Sequence, residues 1–286
     1  MMRPTPDWLA FFMFTFFTDR DGKMQLHALA QSGFDPLSRT CRFMLTEEAH
    51  HMFIGQSGIG RVLERTCAAM RGADIDDPTD IERVRALGVV DLPTMQKKAN
   101  LHFSLTLDLF GSEISTNAAN AFNASLKGRY LEDQIDDDHL LLGATYPVQR
   151  LQGGRIVEER VPALSALNMR LRDDYVADAA SAIERWWNRI IARAGIDYRI
   201  KLPHVAFNRH IGEFAAVHAD PDGNLLSQEE WQRRRDRFLP TTADNLFIES
   251  LMRPVTEPGG FASWIAPPRA GIDGQPGNFE YVKLAE

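Results

Sequence analysis

The chain has 286 residues, 44% of them hydrophobic, which is enough for one large hydrophobic core or two coupled units. Its formal charge of −7 argues against a nucleic-acid-binding protein, because a phosphate-binding face normally requires a basic excess. The only two cysteines, Cys41 and Cys67, make a disulfide framework or a cysteine zinc site unexpected and fit a reducing compartment.

A helix over about residues 7–31 is the first predicted element, and residues 8–17 of it are mostly apolar. This apolar run is too short to cross a bilayer, and charged residues close it: Asp19, Arg20 and Asp21. A signal peptide is not expected, because two prolines interrupt the start and Arg3 is its only positive charge. We therefore expect a cytoplasmic protein without membrane contacts.

The second predicted helix covers about residues 35–70 and contains the most informative motif of the chain. It follows Gly33-Phe34-Asp35-Pro36, which predicts a helix stop, an N-cap aspartate and a proline at the first helical position. Inside it, Glu47-Glu48-Ala49-His50-His51 places a carboxylate and an imidazole three residues apart, on one helix face. This is the Glu-x-x-His half-site of carboxylate-bridged di-iron bundles.

Asp19 is predicted to lie opposite this motif. It precedes Phe34 by 15 residues and Glu48 follows Phe34 by 14, so both carboxylates lie roughly 21 to 23 Å from the turn in an antiparallel pair. Spacing alone leaves two ligand pairs open, Glu47 with His50 and Glu48 with His51, because a one-residue step changes the level by only about 1.5 Å. Both motifs could also be ordinary helix surface, with Asp19 beyond the buried part of its helix and Arg20 and Asp21 in a local ion pair.

The remaining pattern predicts further helices and two hairpins. We expect a short helix at 79–87, a long helix at 92–126, a β-hairpin with strands at 146–151 and 155–161, a helix at 163–194, a short strand at 198–202 and a second hairpin around 220–224. The tail is expected to be irregular, with Phe261, Trp264, Phe279 and Tyr281 as anchors. The fold class is therefore mainly α, with residues 1–142 as a helical bundle part and 143–286 as a mixed region.

Other polar clusters have weaker claims to a function. The run 233–237 of four arginines and one aspartate could meet the phosphates of a coenzyme A substrate or form a solvated helix face. Asp136 and His139 repeat the carboxylate-imidazole spacing inside a charge run that is more typical of a loop. The remaining candidates are a glycine-rich segment, 55–60, read as close packing or a helix break; Asn117, Asn120 and Asn123, read as a polar pocket or a solvated face; and His210, His218, Glu213 and Asp220, read as hairpin surface.

Several long segments carry a family resemblance. They are DWLAFFMFTFFTDRDGK, SGFDP, RFMLTEEAHHMF, GQSGIGR, LPHVAFNRHIG, GFASWIAPP and QPGNFEYV. With these segments, the chain from Asp7 onward closely resembles the oxygenase component of benzoyl-CoA 2,3-epoxidase, a class I di-iron protein of aerobic benzoate breakdown.

The resemblance implies a ferritin-like bundle and a di-iron monooxygenase that adds one oxygen of O₂ to the ring of benzoyl-CoA, giving the 2,3-epoxide. It places iron ligands at Asp19, Glu48 and His51, which selects the second of the two pairs. Phe12, Phe16 and Met44 would form a dry wall near the metal or be ordinary core. Electrons would come from NADPH through a separate flavin and iron-sulfur reductase.

The resemblance also implies that family members are longer at the N-terminus. That part carries the other half of the di-iron site, a Glu and an earlier Glu-x-x-His on two further helices, so the remaining iron ligands are expected to be absent from this chain. The alternative is therefore a truncated, inactive chain or an acyl-CoA-binding fragment that lacks a complete di-iron site. A third possibility is that two copies pair to complete a symmetric two-metal site.

Overall fold

The computed structural model describes residues 7–126 and 143–252, and the fold is mainly helical. In the first range the helices are α1 (Trp8–Leu29), α2 (Asp35–Gly72), α3 (Ile81–Ala86), α4 (Leu92–Leu107) and α5 (Thr116–Asn123). In the second they are α6 (Leu167–Ala182), α7 (Arg189–Arg193), α8 (Gln228–Phe238) and α9 (Thr242–Ser250). The predicted mainly α fold class with hairpin insertions is confirmed, whereas its ferritin-like connectivity stays a prediction.

α1 begins with a buried cap that also ties it to α4. The Asp7 carboxylate accepts a hydrogen bond from the backbone N–H of Ala10 and lies 2.7 Å from the buried Lys98 ammonium on α4. A cap of this kind satisfies one of the free N–H groups at the helix start. It therefore fixes the first turn of α1 against the core.

The core lies where α1 and the second half of α2 meet α4, α6 and the segment after α6. Phe16 of α1 packs on Trp187, with ring centroids 4.4 Å apart, and Phe103 of α4 stacks on Tyr175 of α6 at 6.0 Å. A π-helical turn, Ile183–Asn188, joins α6 to α7 and carries Trp187. This core contains side chains from both predicted parts, and the division into 1–142 and 143–286 stays a prediction.

Two antiparallel hairpins follow the predicted pattern. Strands β1 (Thr145–Gln152) and β2 (Arg155–Pro162) pair in the first, and β3 (His218–Ala219) with β4 (Leu225–Leu226) in the second. The loop Gly153-Gly154 has positive φ at both residues, 56° and 73°, which the right-handed twist of a two-residue hairpin requires. Glycine adopts these angles without steric cost, so the turn reading of this pair is confirmed.

The predicted single helix over 92–126 is wrong, because it breaks near Gly111. α4 ends in a 3₁₀ turn, Asp108–Phe110, and Gly111 takes a φ of 81°, which continues no helix. Ser115 then caps a new helix by accepting from the backbone N–H of Asn117. A single glycine such as Gly111 can also lie inside a helical pattern, so it did not mark this stop in the sequence.

The predicted strand at 198–202 is also wrong. Instead of a neighbouring strand, the side chain of Asn188 bonds both backbone groups of Ile200, at 2.9 and 3.1 Å. Gln96 accepts from the backbone N–H of Lys201. Because side-chain amides satisfy this extended segment, it needs no sheet.

The start of α2 is shifted by one residue from the prediction. Phe34 occupies the N-cap position and Asp35 begins the helix, where its exposed carboxylate pairs with Arg39 at 2.8 Å.

None of the helices in the described ranges combines the length and apolar character needed to cross a lipid bilayer. The predicted irregular tail with its four aromatic anchors, and the pair Asp136 and His139, lie outside the described residues.

Candidate metal centre

α1 and α2 form an antiparallel pair whose closest approach depends on two glycines. A β-carbon at Gly55 would lie 2.5 Å from the backbone nitrogen of Phe16, and one at Gly58 would lie 2.4 Å from the ring of Phe12. Real β-carbons do not approach other atoms this closely, so larger residues at either position would force the helices apart. α2 continues through this segment without a break, which confirms the close-packing reading of residues 55–60.

This alignment brings three of the predicted ligands together. Nδ1 of His51 lies 3.9 Å from Oδ2 of Asp19 and 3.7 Å from Oε2 of Glu48. One donor atom from each of the three residues falls within 4.8 Å of the others. Two carboxylates and one imidazole therefore converge from two neighbouring helices, although their assignment as metal ligands stays a prediction.

Glu47 and His50 do not take part in this cluster. Of the His, Cys, Asp and Glu side chains in the described part of the chain, only Asp19, Glu48 and His51 form a group compatible with a metal. Each step along a helix turns the side chain by about 100°, so the neighbouring pair points to a different side of α2. Glu47 is exposed there.

Burial and mutual repulsion perturb the two carboxyl groups. Desolvation by burial and, after it, the charge of the neighbouring Glu48 raise the pKa of Asp19 from 3.8 to about 6, although His51 opposes both. Burial likewise raises the pKa of Glu48, with His51 lowering it. In the absence of a cation, protons are therefore held more tightly here than on ordinary carboxyl groups.

The Glu48 carboxylate occupies a recess with an unused oxygen. Its Oε2 is buried without a hydrogen-bond partner among the described residues, and its Oε1 lies against Gly22 of α1, where a β-carbon would come within 3.2 Å. A buried carboxylate oxygen without a donor is costly, and a bound cation is one way to satisfy it. Carboxylate oxygens and an imidazole nitrogen suit iron, so the residues fit the metal that the sequence implies.

The side chains of Asp19 and its neighbour Arg20 point to different sides of α1, because each step along a helix turns the side chain by about 100°. Arg20 is buried and donates to Asp178 of α6 at 2.8 Å, with its guanidinium 4.2 Å from the ring centroid of Phe16. This pairing directs the positive charge of Arg20 into the core. The Asp19 carboxylate faces Glu48 and His51 on α2 instead.

Comparison with known proteins gives one decisive relative, whereas no known family model matches the chain. Over 280 residues, 98% of the chain, the sequence is 56% identical to benzoyl-CoA oxygenase component B of Aromatoleum evansii. The chain is related to benzoyl-CoA oxygenase component B. It spans 58% of that relative's length. The family resemblance of the sequence is thereby confirmed.

The arginine run at 233–237 is the predicted candidate for a contact with the phosphates of coenzyme A. These residues lie on α8, where Arg233, Arg235 and Arg237 are exposed. Arg234 packs over Phe238 and lies 3.6 Å from Asp220. The arrangement fits a solvated helix face, and contact with coenzyme A stays a prediction.

Asn117, Asn120 and Asn123 on α5 are also exposed, which agrees with the prediction of a solvated helix face.

The polar residues of the second hairpin region have structural partners. Glu213 accepts from Arg150 and from the backbone N–H of Leu151, while Asp220 is buried and accepts from the backbone N–H groups of its own turn. His218 stacks on Trp231, with ring centroids 5.1 Å apart. The expectation of simple surface residues is therefore wrong for Asp220, which loop geometry buries.

The predicted dry wall is only partly present. Phe16 is fully buried and belongs to the ordinary core with Trp187, and Phe12 is partly buried between the two helices. Met44 is 42% exposed, because no described residue covers that side of α2. The ordinary-core reading of Met44 is therefore wrong, whereas its place in a dry wall near the metal stays a prediction.

Gly22 is a residue of the site that the sequence pattern did not reveal. It follows Asp19 by three residues and so shares its face of α1. The spacing Asp-x-x-Gly opposite a Glu was the available signal, yet a helical glycine has no side chain to suggest a role. Only the contact with Glu48 shows its place.

Proposed function

We propose that the chain is part of the oxygenase component of a benzoyl-CoA epoxidase, a di-iron monooxygenase of aerobic benzoate degradation. In this reaction one oxygen of O₂ would be added across the aromatic ring of benzoyl-CoA to give the 2,3-epoxide, and two electrons from NADPH with two protons would reduce the other oxygen to water. The proposal depends on one observation, the convergence of Asp19, Glu48 and His51 within 4.8 Å in a chain 56% identical to benzoyl-CoA oxygenase component B.

The three side chains have separate roles in binding iron. Asp19 would hold iron through a carboxylate from α1, Glu48 through the carboxylate oxygen left without a partner, and His51 through a ring nitrogen. Iron bound there supplies the activation of O₂. The protons held by the raised-pKa carboxyl groups leave when metal binds, because only ionised carboxylates are good ligands.

Three ligands are half of the set that two irons require in proteins of this type. Further donors would complete the centre. We propose that they belong to the part of the oxygenase that corresponds to the portion of the relative that this chain does not match. The His51 side chain is 45% exposed and Met44 is 42% exposed. This open side is where the remaining ligands and a dry substrate pocket would lie.

Partners follow from the same proposal. The relative's name, component B, denotes one component of several. We propose that electrons reach the iron from NADPH through a separate flavin and iron-sulfur reductase, that benzoyl-CoA and O₂ are the substrates, and that the system is cytoplasmic.

The test begins with metal content. We expect purified chain loaded anaerobically with Fe(II) to bind no more than about one iron per chain, because it offers half of a di-iron ligand set. The Glu48→Ala variant should lose this iron, while Glu47→Ala, changed one residue away, should retain it. An unchanged iron content in Glu48→Ala contradicts the ligand assignment.

The activity is tested separately, with NADPH, the reductase, benzoyl-CoA and isotopically labelled O₂. Mass spectrometry should find one labelled oxygen in the product of the complete oxygenase. Loss of that product on introducing His51→Ala, at unchanged benzoyl-CoA affinity, supports the assigned role.

A second candidate function is an acyl-CoA-binding fragment without redox chemistry. The observation in its favour is that the described residues provide three metal donors and no fourth at the cluster. Benzoyl-CoA binding by calorimetry in a chain that takes up no iron would support this alternative and contradict the first proposal for the isolated chain.

A further inference from the structure

Gly22 lies in the middle of α1, where a glycine is unexpected. Glycine is among the least favourable residues inside a helix. The φ angle of Gly22 is not positive, so its backbone conformation does not require a glycine. Its position therefore calls for a local steric reason. The contact with Glu48 supplies one.

A β-carbon at position 22 would lie 3.2 Å from Oε1 and 3.3 Å from Cδ of Glu48. Both distances are shorter than ordinary van der Waals contact, so the carboxylate would have to move by a few tenths of an ångström. The Glu48 side chain is only 16% exposed, which leaves it little free space for this movement.

We propose that Gly22 is a positioning residue for the metal centre. Its missing side chain leaves a recess on α1 that seats the Glu48 carboxylate beside Asp19 and His51. This inference rests on the proposed function and extends it from the ligands to the surface that orients one of them. Residues that orient ligands commonly affect metal affinity by roughly ten- to a hundredfold.

Gly22 differs in kind from Gly55 and Gly58. Those two glycines face the backbone and an aromatic ring of α1, so a β-carbon there forces the two helices apart. At Gly22 the nearest atoms belong to the far end of a flexible side chain. Substitution at Gly22 should therefore displace the carboxylate and leave the helix packing intact.

The first experiment measures thermal unfolding of metal-free protein in a double-mutant cycle. Alanine is the better helix former, so Gly22→Ala in a Glu48→Ala background should raise Tm by about 2 °C or more. With Glu48 present the same substitution should give a smaller rise or a decrease. The matched control is Gly60→Ala, whose β-carbon meets only Ile190 at an ordinary 3.5 Å and whose effect should be equal in both backgrounds.

The second experiment measures Co(II) binding by visible absorption. Gly22→Ala should weaken Co(II) affinity roughly tenfold and change the absorption spectrum, while Gly60→Ala should do neither. A ligand displaced by a few tenths of an ångström alters the coordination geometry, which a purely structural role of Gly22 would leave unchanged.

The outcomes separate this inference from the proposed function. Equal Tm shifts for Gly22→Ala in both backgrounds, or an unchanged Co(II) affinity, overturn the role of Gly22 while the ligand assignment stands. If the wild-type chain binds no Co(II), the metal function of the isolated chain fails, and the unfolding cycle alone then decides whether Gly22 seats Glu48.

Discussion

Nδ1 of His51 on α2 lies 3.9 Å from Oδ2 of Asp19 on α1. The two residues come from different helices, and their contact depends on both the level and the rotation of the helix pair. Antiparallel packing sets the level, and the close approach at Gly55 and Gly58 sets the rotation. This relationship makes the candidate metal centre testable residue by residue.

The choice between adjacent histidines is the first prediction. His51→Ala should abolish Co(II) binding, because it removes the only nitrogen donor of the three-residue cluster. His50→Ala is the matched control and should bind Co(II) within about twofold of wild type, since that side chain points about 100° away around α2. Calorimetric titration of both variants checks this, and the opposite ranking would assign the other Glu-His pair.

The stability of the metal-free chain should fall with rising pH because of Asp19. Its pKa in the folded chain, about 6, exceeds the ordinary value of 3.8, so the folded state binds the proton more tightly. This contribution to stability is fully present below the unfolded pKa and is lost as the pH rises through about 6. Glu48, whose pKa is also raised, acts in the same direction.

Asp19→Asn should remove the part of this pH dependence that Asp19 contributes, since asparagine does not titrate, and should leave the part that comes from Glu48. Between about pH 5 and about pH 7.5, wild-type chain should lose on the order of 1 kcal/mol of unfolding free energy relative to Asp19→Asn. Urea unfolding of both proteins without metal measures the difference. A relative gain by wild type with rising pH would show that burial does not penalise the Asp19 charge.

Gly55→Ala should destabilise the chain and weaken metal binding together. Its β-carbon would lie 2.5 Å from the backbone nitrogen of Phe16 and 2.8 Å from the carbonyl oxygen of Phe12, neither of which can move without separating α1 from α2. Overpacking of this kind costs about 1–3 kcal/mol. Chemical unfolding and Co(II) titration measure the two effects.

Gly72→Ala is the control for that prediction, because a β-carbon at the end of α2 meets nothing within 4 Å. It should leave both stability and Co(II) affinity near wild type. Equal behaviour of the two variants would mean that the helices do not depend on the close approach at Gly55.

A buried ion network should be essential for the fold away from the metal centre. Arg209 is fully buried and donates to Asp108 at 2.7 Å, and it also lies 3.6 Å from Glu113. Arg209→Met leaves both carboxylates without this charge partner, which should cost about 3–5 kcal/mol of unfolding free energy. Circular dichroism during urea unfolding checks the loss.

The matched control is Arg199→Met, at an exposed pair with Glu184. Exposed ion pairs contribute about 1 kcal/mol or less, so this variant should unfold close to wild type. A comparable loss at both positions would contradict the importance of burial.

Local patterns predicted much of the fold. The apolar periodicity located α1 and α2, and the Gly153-Gly154 pair located the turn of the first hairpin. The break in the predicted helix at 92–126 was missed, because Gly111 can also be tolerated inside a helical pattern. The segment 198–202 was read as a strand, since its pattern does not show that Asn188 would satisfy its backbone.

The candidate centre was predictable in part, because it also depends on local helix periodicity. Residues three apart share a helix face, so the sequence indicated that a Glu and a His act together and that Asp19 lies at their level. The recess at Gly22 and the exposure of Met44 were beyond its reach, because both depend on which side of α2 faces α1.

The sequence by itself determined two antiparallel helices and a carboxylate-imidazole pair one turn apart, since helix period and turn position are local properties. Spacing alone left Glu47 with His50 and Glu48 with His51 equally placed. The tertiary structure decided that Glu48 and His51 meet Asp19. The physical reason is rotational: one residue turns a helix face by about 100°, and only the fit of Gly55 and Gly58 against α1 sets that rotation.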